Sequence, residues 1–123
     1  MAVLLPGGSL PQEVPLRSAN GAYFLVVQAD GNLVGYTSCH FHRTNSFWAS
    51  GTQHKGVAPF RLVMQLDGNL VLYDANNNPT WSAATHGREG SGAHDRLVIQ
   101  DDRNIVLYRD GHIVRWATNT HLA

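Results

Sequence analysis

An internal repeat constrains this chain more than any other feature. Three segments align without gaps: Leu25-Val-Val-Gln-Ala-Asp-Gly-Asn-Leu-Val-Gly-Tyr36, Leu62-Val-Met-Gln-Leu-Asp-Gly-Asn-Leu-Val-Leu-Tyr73 and Leu97-Val-Ile-Gln-Asp-Asp-Arg-Asn-Ile-Val-Leu-Tyr108. Their common pattern is Leu-Val-Φ-Gln-x-Asp-x-Asn-Φ-Val-x-Tyr, with Φ apolar, and each is followed by Trp-x-x-x-Thr at Trp48, Trp81 and Trp116. Tyr36 to Trp48 spans 12 residues, against 8 from Tyr73 to Trp81 and from Tyr108 to Trp116. The first repeat therefore carries a four-residue insertion within 37–47. The repeats, about 1–52, 53–85 and 86–123, account for all 123 residues and are expected to form a single domain.

Each repeat reads as β structure. Leu-Val-Φ-Gln is a short run of strand formers, and Asp-Gly-Asn is a hairpin signal because Gly accepts positive φ and Asp and Asn tolerate it. Φ-Val-x-Tyr is the return strand, and the Trp segments (46–50, 80–82, 113–117) supply another. Asn76-Asn-Asn-Pro79 and Asp110-Gly111 mark turns between these strands. Arg103 stands where the other hairpins have Gly31 and Gly68, which predicts a less comfortable turn or one of another type. No segment has helical periodicity, so an all-β fold is expected.

Side chains alternate across a strand, and this sorts the repeat into two faces. Leu62, Met64, Leu70 and Leu72 share one face, as do Leu97, Ile99, Ile105 and Leu107, and Leu25, Val27 and Leu33. These are the predicted core. Gly35 interrupts the first set, and the insertion, through Phe41, is expected to fill the gap. The opposite face carries Gln, Asp, Asn, Val and Tyr in all three repeats. A turn needs Asp and Asn, but it does not need Gln before it and Tyr after it. Nor does it explain why Asp102 and Asn104 persist where Gly is lost. The recurrent set is therefore read as functional.

Composition narrows the function. Nine basic and nine acidic residues give a net charge of zero, so there is no electrostatic footprint for nucleic acid or an anionic membrane. No apolar stretch approaches the ~18 residues of a membrane span. One Cys, Cys39, excludes an intramolecular disulfide and a Cys-based metal cluster, and a buried or half-exposed thiol is expected. The N-terminal apolar run lacks a basic region and is too short for a signal peptide, which predicts a cytoplasmic or non-classically secreted protein. His40 and His42 read as an exposed polar loop without a metal, and Arg88–Asp95 as a flexible, Gly-rich connection. No cofactor is implied. No nucleophile sits beside a base, no carboxylates recur in pairs and no Gly-rich loop fits a phosphate, so catalysis is not expected. One carboxylate, two amides and a phenol instead offer donors and acceptors together, which suits vicinal sugar hydroxyls. A protein-interaction module is the alternative.

At these residues the chain resembles the monocot (bulb-type) mannose-binding lectins, whose signature Gln-x-Asp-x-Asn-x-Val-x-Tyr is complete at Gln28–Tyr36, Gln65–Tyr73 and Gln100–Tyr108. The resemblance implies a β-prism II fold, three antiparallel four-stranded sheets with pseudo-threefold symmetry and the three Trp near the axis. It implies a mannose site on each sheet, with mannose-containing glycans as partners. Asp30 and Asn32 would hold the axial O2 hydroxyl, Gln28 O3 and Tyr36 O4, with Val34 against the C3–C4 edge. The same roles carry to Asp67, Asn69, Gln65, Tyr73 and Val71, and to Asp102, Asn104, Gln100, Tyr108 and Val106. The family's usual disulfide has no counterpart, because the turn positions are Gly31, Gly68 and Arg103. Family members also dimerise by exchanging C-terminal strands, for which 113–120 would serve here.

Overall fold

In a computed structural model, which describes residues 2–85, 94–110 and 112–122, each repeat folds as three consecutive antiparallel strands. They are β4 (Phe24–Val27), β5 (Leu33–Tyr36) and β6 (Ser46–Ala49), then β7 (Arg61–Met64), β8 (Leu70–Tyr73) and β9 (Pro79–Ser82), then β10 (Arg96–Ile99), β11 (Ile105–Arg109) and β12 (Ile113–Ala117). The N-terminal segment supplies β1 (Val3–Leu4), β2 (Ser9–Pro11) and β3 (Leu16–Arg17). It lends one strand to each repeat, giving sheets ordered β1-β10-β11-β12, β2-β7-β8-β9 and β3-β4-β5-β6. Sheet membership therefore does not follow the repeat boundaries. No α-helix occurs among the described residues; a 3-10 turn spans Arg43–Asn45.

The N-terminal strands are too short to show alternation, yet they carry a period of their own. Leu4, Leu10 and Leu16 recur at every sixth position. Each is buried, and each pairs with the first Leu of a repeat: Leu4 with Leu97, Leu10 with Leu62, Leu16 with Leu25. All three join the predicted core residues in one apolar cluster. Each fully buried Leu stabilises the fold by about 1.5–3 kcal/mol of transfer free energy. Trp48, Trp81 and Trp116 meet edge to face in a closed triangle, with centroids 5.6–5.7 Å apart and interplanar angles of 70–76°. This arrangement suits the aromatic quadrupole and marks the pseudo-threefold axis.

A bulge interrupts each sheet at the same place. Opposite Gly35/Tyr36 the extra residue is Phe47, opposite Leu72/Tyr73 it is Thr80, and opposite Leu107/Tyr108 it is Arg115. The first of these corrects the expectation for Gly35. A Cβ there would lie 2.7 Å from Phe47 Cζ, so the Phe47 ring, not Phe41, occupies the vacated space. The bulge turns Phe47 inward, whereas Phe41 lies on the outer face of the sheet. There it meets Tyr36 at 5.2 Å and Phe24 at 5.7 Å.

Three other expectations are refined. The third hairpin is not of another type. Arg103 has φ +78°, close to Gly31 at +91° and Gly68 at +87°, and its N–H donates to Gln100 O just as theirs do to Gln28 O and Gln65 O. Arg103 tolerates the left-handed region because its Nε donates to Thr120 O at 2.9 Å and its guanidinium lies over Phe47. Cys39 is exposed rather than buried or half-exposed, since the insertion holds it away from the core. Of the Gly-rich connection, residues 88–93 lie outside the described residues, while its last residue, Asp95, is fully buried.

Candidate functional site

Each motif is a hairpin whose polar residues are oriented by the turn itself. Gln28 N donates to Asn32 O at 2.9 Å, closing the hairpin, and Asp30 Oδ1 accepts from Asn32 N at 2.9 Å. Asp67 and Asp102 repeat that Asx contact with Asn69 N and Asn104 N, each at 2.9 Å. The short side chain thus mimics a backbone turn and keeps its second carboxylate oxygen at the surface.

The Asn residues are tied from the other side. Asn32 Oδ1 accepts from Gly51 N at 3.0 Å, Ser50 Oγ at 3.1 Å and Thr52 N at 3.2 Å. Asn69 Oδ1 accepts from Thr85 N at 3.0 Å. Asn104 Oδ1 accepts from Thr118 Oγ1 at 3.2 Å and Thr120 N at 3.3 Å. With the carbonyl oxygen committed to backbone N–H donors, the amide orientation is determined and Nδ2 is the group left to donate elsewhere. The trailing Thr of Trp-x-x-x-Thr completes the clamp. Thr52 Oγ1 donates to Gly31 O at 2.7 Å and Thr120 Oγ1 to Arg103 O at 2.8 Å, while Leu70 N donates to Thr85 Oγ1 at 3.3 Å. The Thr was visible in the sequence; its role as the support of the Asn was not.

Gln and Tyr complete the set. Gln28, Gln65 and Gln100 each hydrogen-bond through their amides to the hydroxyls of Tyr36, Tyr73 and Tyr108, respectively. For Gln100 both neighbours are satisfied when Oε1 accepts from Tyr108 and Nε2 donates to Asp102 Oδ1 at 3.1 Å. Val34, Val71 and Val106 lie beneath, buried between amide and phenol. The structure thus brings the five residues of each motif onto the outer face of one sheet.

The first set has the most buried Tyr of the three. Gln28, Asp30, Asn32, Val34 and Tyr36 together line a depression of about 290 Å³, whose rim includes Phe41, Arg43 and Gln53. Tyr36 is 3% exposed, whereas Tyr73 and Tyr108 are half-buried. Burial pushes the Tyr36 phenol above its usual range, against the Gln28 hydrogen bond and with Asp30 and Glu13 adding to the rise. It stays a neutral donor and acceptor. In the second repeat Arg61 lies over Tyr73 at 4.9 Å instead. His40 and His42 are exposed, and no group of three His, Cys, Asp or Glu that could hold a metal occurs among the described residues.

Three copies of one donor–acceptor set, one on each sheet, are carried on a prism of three sheets that solved lectins share. Solved structures place it further. A monomeric monocot mannose-binding lectin from Gastrodia elata matches with a TM-score of 0.83 and 34% identity, over 99% of this chain and 100% of that one. The mannose-specific agglutinin of snowdrop (Galanthus nivalis), complexed with methyl α-D-mannoside, matches with a TM-score of 0.76 and 32% identity over 100% of both chains. The chain belongs to the monocot mannose-binding lectin family, and its fold is the β-prism II of those structures. Curculin-2 of Molineria latifolia is 40% identical over 76 residues, which are 62% of this chain and 43% of that protein. The chain spans less than half the length of the curated relatives it matches. No family model matches the chain.

Proposed function

We propose that the chain binds terminal α-D-mannose and high-mannose glycans at three sites, one per sheet, as one lectin domain of three repeats. Asp30, Asp67 and Asp102 accept from the axial O2 hydroxyl, and Nδ2 of Asn32, Asn69 and Asn104 donates to it. Gln28, Gln65 and Gln100 take O3, Tyr36, Tyr73 and Tyr108 take O4, and Val34, Val71 and Val106 lie under the C3–C4 edge. The carrying observation is the Asn clamp. Each Asn spends its carbonyl on the following loop, which leaves, among the described residues, one uncommitted N–H2 donor beside one uncommitted carboxylate oxygen. A site built for an axial hydroxyl discriminates against glucose, because its polar groups stay unpaired when O2 points elsewhere.

Shallow sites of this kind bind weakly; a millimolar Kd is about −4 kcal/mol. Three of them on a glycan-coated surface raise avidity by ~10²–10⁴. A dimer through exchange of β12, an edge strand with Ile113 and Val114 exposed, would double their number.

A glycan array, repeated with methyl α-mannoside as competitor, tests the reading. High-mannose glycans are expected to bind and to be displaced; a folded protein that binds none of them overturns it. Asp67→Asn is the cleaner single-site variant, because Asn69→Ala would also strip Thr85 N of its acceptor. It is expected to weaken the second site about ten-fold or more while leaving the unfolding midpoint in place.

A further inference from the structure

The first site differs from the other two by construction. Only the first repeat carries the insertion between its Tyr and its Trp, and that insertion is a built wall. Thr37 N donates to Asn45 O at 2.8 Å, Asn45 N to His42 O at 2.7 Å, Asn45 Nδ2 to His40 O at 3.0 Å and Ser46 Oγ to Arg43 O at 2.7 Å. These bonds present two side chains to the depression. Phe41 is pinned on Tyr36 and Phe24 yet remains 37% exposed, and Arg43 makes no side-chain hydrogen bond or ion pair among the described residues. Gln53 adds an amide from the loop after β6.

A pinned aromatic ring beside a free guanidinium and a free amide extends past the five residues that a single sugar would engage. An aromatic surface takes the apolar C–H face of a pyranose, and the fork of an Arg takes two neighbouring hydroxyls. We infer that the first site holds a disaccharide unit, with the second sugar of a mannoside chain seated on Phe41 and hydrogen-bonded by Arg43 and Gln53. This rests on the mannose reading of the five-residue set. The second sugar is a neutral mannose, as the mannoside reading requires, and Asp30 in the same depression opposes an anionic one. The second and third repeats lack the insertion and have no Phe, Tyr or Trp between the motif Tyr and the following Trp.

The test is a titration followed by amide NMR shifts, with methyl α-mannoside and with α1,2-, α1,3- and α1,6-linked mannobioses. The three sites of one molecule serve as mutual references. For one mannobiose, the first site is expected to saturate at about three- to ten-fold lower concentration than with methyl α-mannoside, while the other two sites show no such ratio. Phe41→Ala and Arg43→Gln should each lower that ratio to the value at the other sites, at low and high salt alike. Arg43 is exposed, so its variant separates a binding effect from any loss of fold. If methyl α-mannoside shifts all three sites but no mannobiose is favoured at the first, or the preference survives both substitutions, the inference is overturned and the mannose reading stands. If neither sugar shifts any site of the folded protein, both fall.

Discussion

Arg103 and Gly31 show how much one backbone angle decides in this fold. Every hairpin has a residue in the left-handed region at the centre of Asp-x-Asn, because that angle turns the chain so that the Asn carbonyl returns to accept from the Gln N–H. At Gly31 space forbids a side chain as well: a Cβ would lie 3.0 Å from Lys55 O and Phe60 Cζ and 3.1 Å from Thr52 O. Gly31→Ala is therefore expected to cost about 1–3 kcal/mol in urea unfolding and to distort the first Asn clamp. Arg103 escapes this penalty in part through Thr120 O and the Phe47 ring, contacts that alanine would not make. The residue after the Asp in the motif is thus free in identity only where something outside the hairpin holds its side chain.

At the scale of the strand pair, the bulge and the residue that precedes the first strand act together. In the first repeat Tyr23 meets Phe47 at 6.1 Å, edge to face. In the third repeat the same two positions hold Asp95 and Arg115. Asp95 is fully buried, and neither of its carboxylate oxygens has a hydrogen-bond partner among the described residues. Burial pushes its pKa up; Arg115, Arg109 and His94 pull it down, and Asp110 raises it. Because the folded value lies above the unfolded one, the folded state keeps a proton that the unfolded chain has already released. The contribution of Asp95 to stability is therefore greatest below the ordinary carboxylate range and declines as pH rises through it to the raised folded value. Asp95→Asn should flatten this decline and raise the melting temperature at neutral pH, with little gain in acid. Thermal unfolding at a series of pH values reads this directly, and an unchanged slope would place its origin elsewhere.

For the molecule as a whole, the Trp triangle and the N-terminal segment join three hairpins that are each too small to be stable alone. Every sheet contributes one ring to the triangle, so removing one ring loosens all three. Trp81→Ala is expected to cost about 3 kcal/mol and to unfold in a single transition. If only the second site were lost while the others kept their NMR shifts, the three sheets would be independent units. The N-terminal segment has the same reach, since its Leu4, Leu10 and Leu16 each seal a different sheet.

The repeat by itself determined the nine hairpin and Trp strands, the inward Leu, Met and Ile residues, and the recurrent set of four polar residues and one Val. All of these depend on local period and local turn chemistry, which three aligned copies make unambiguous. The β1, β2 and β3 strands escaped because two or three residues cannot show alternation, and only the six-residue spacing of their Leu residues signalled them. Which aromatic fills the space at Gly35 was decided by a bulge, a property of pairing between strands rather than of either strand. The Asn clamp, the buried Asp95 and the placement of Phe41 over Tyr36 likewise join residues distant along the chain or thrown together by the insertion. Their geometry follows from packing three sheets around one axis, and a linear pattern holds no record of such contacts.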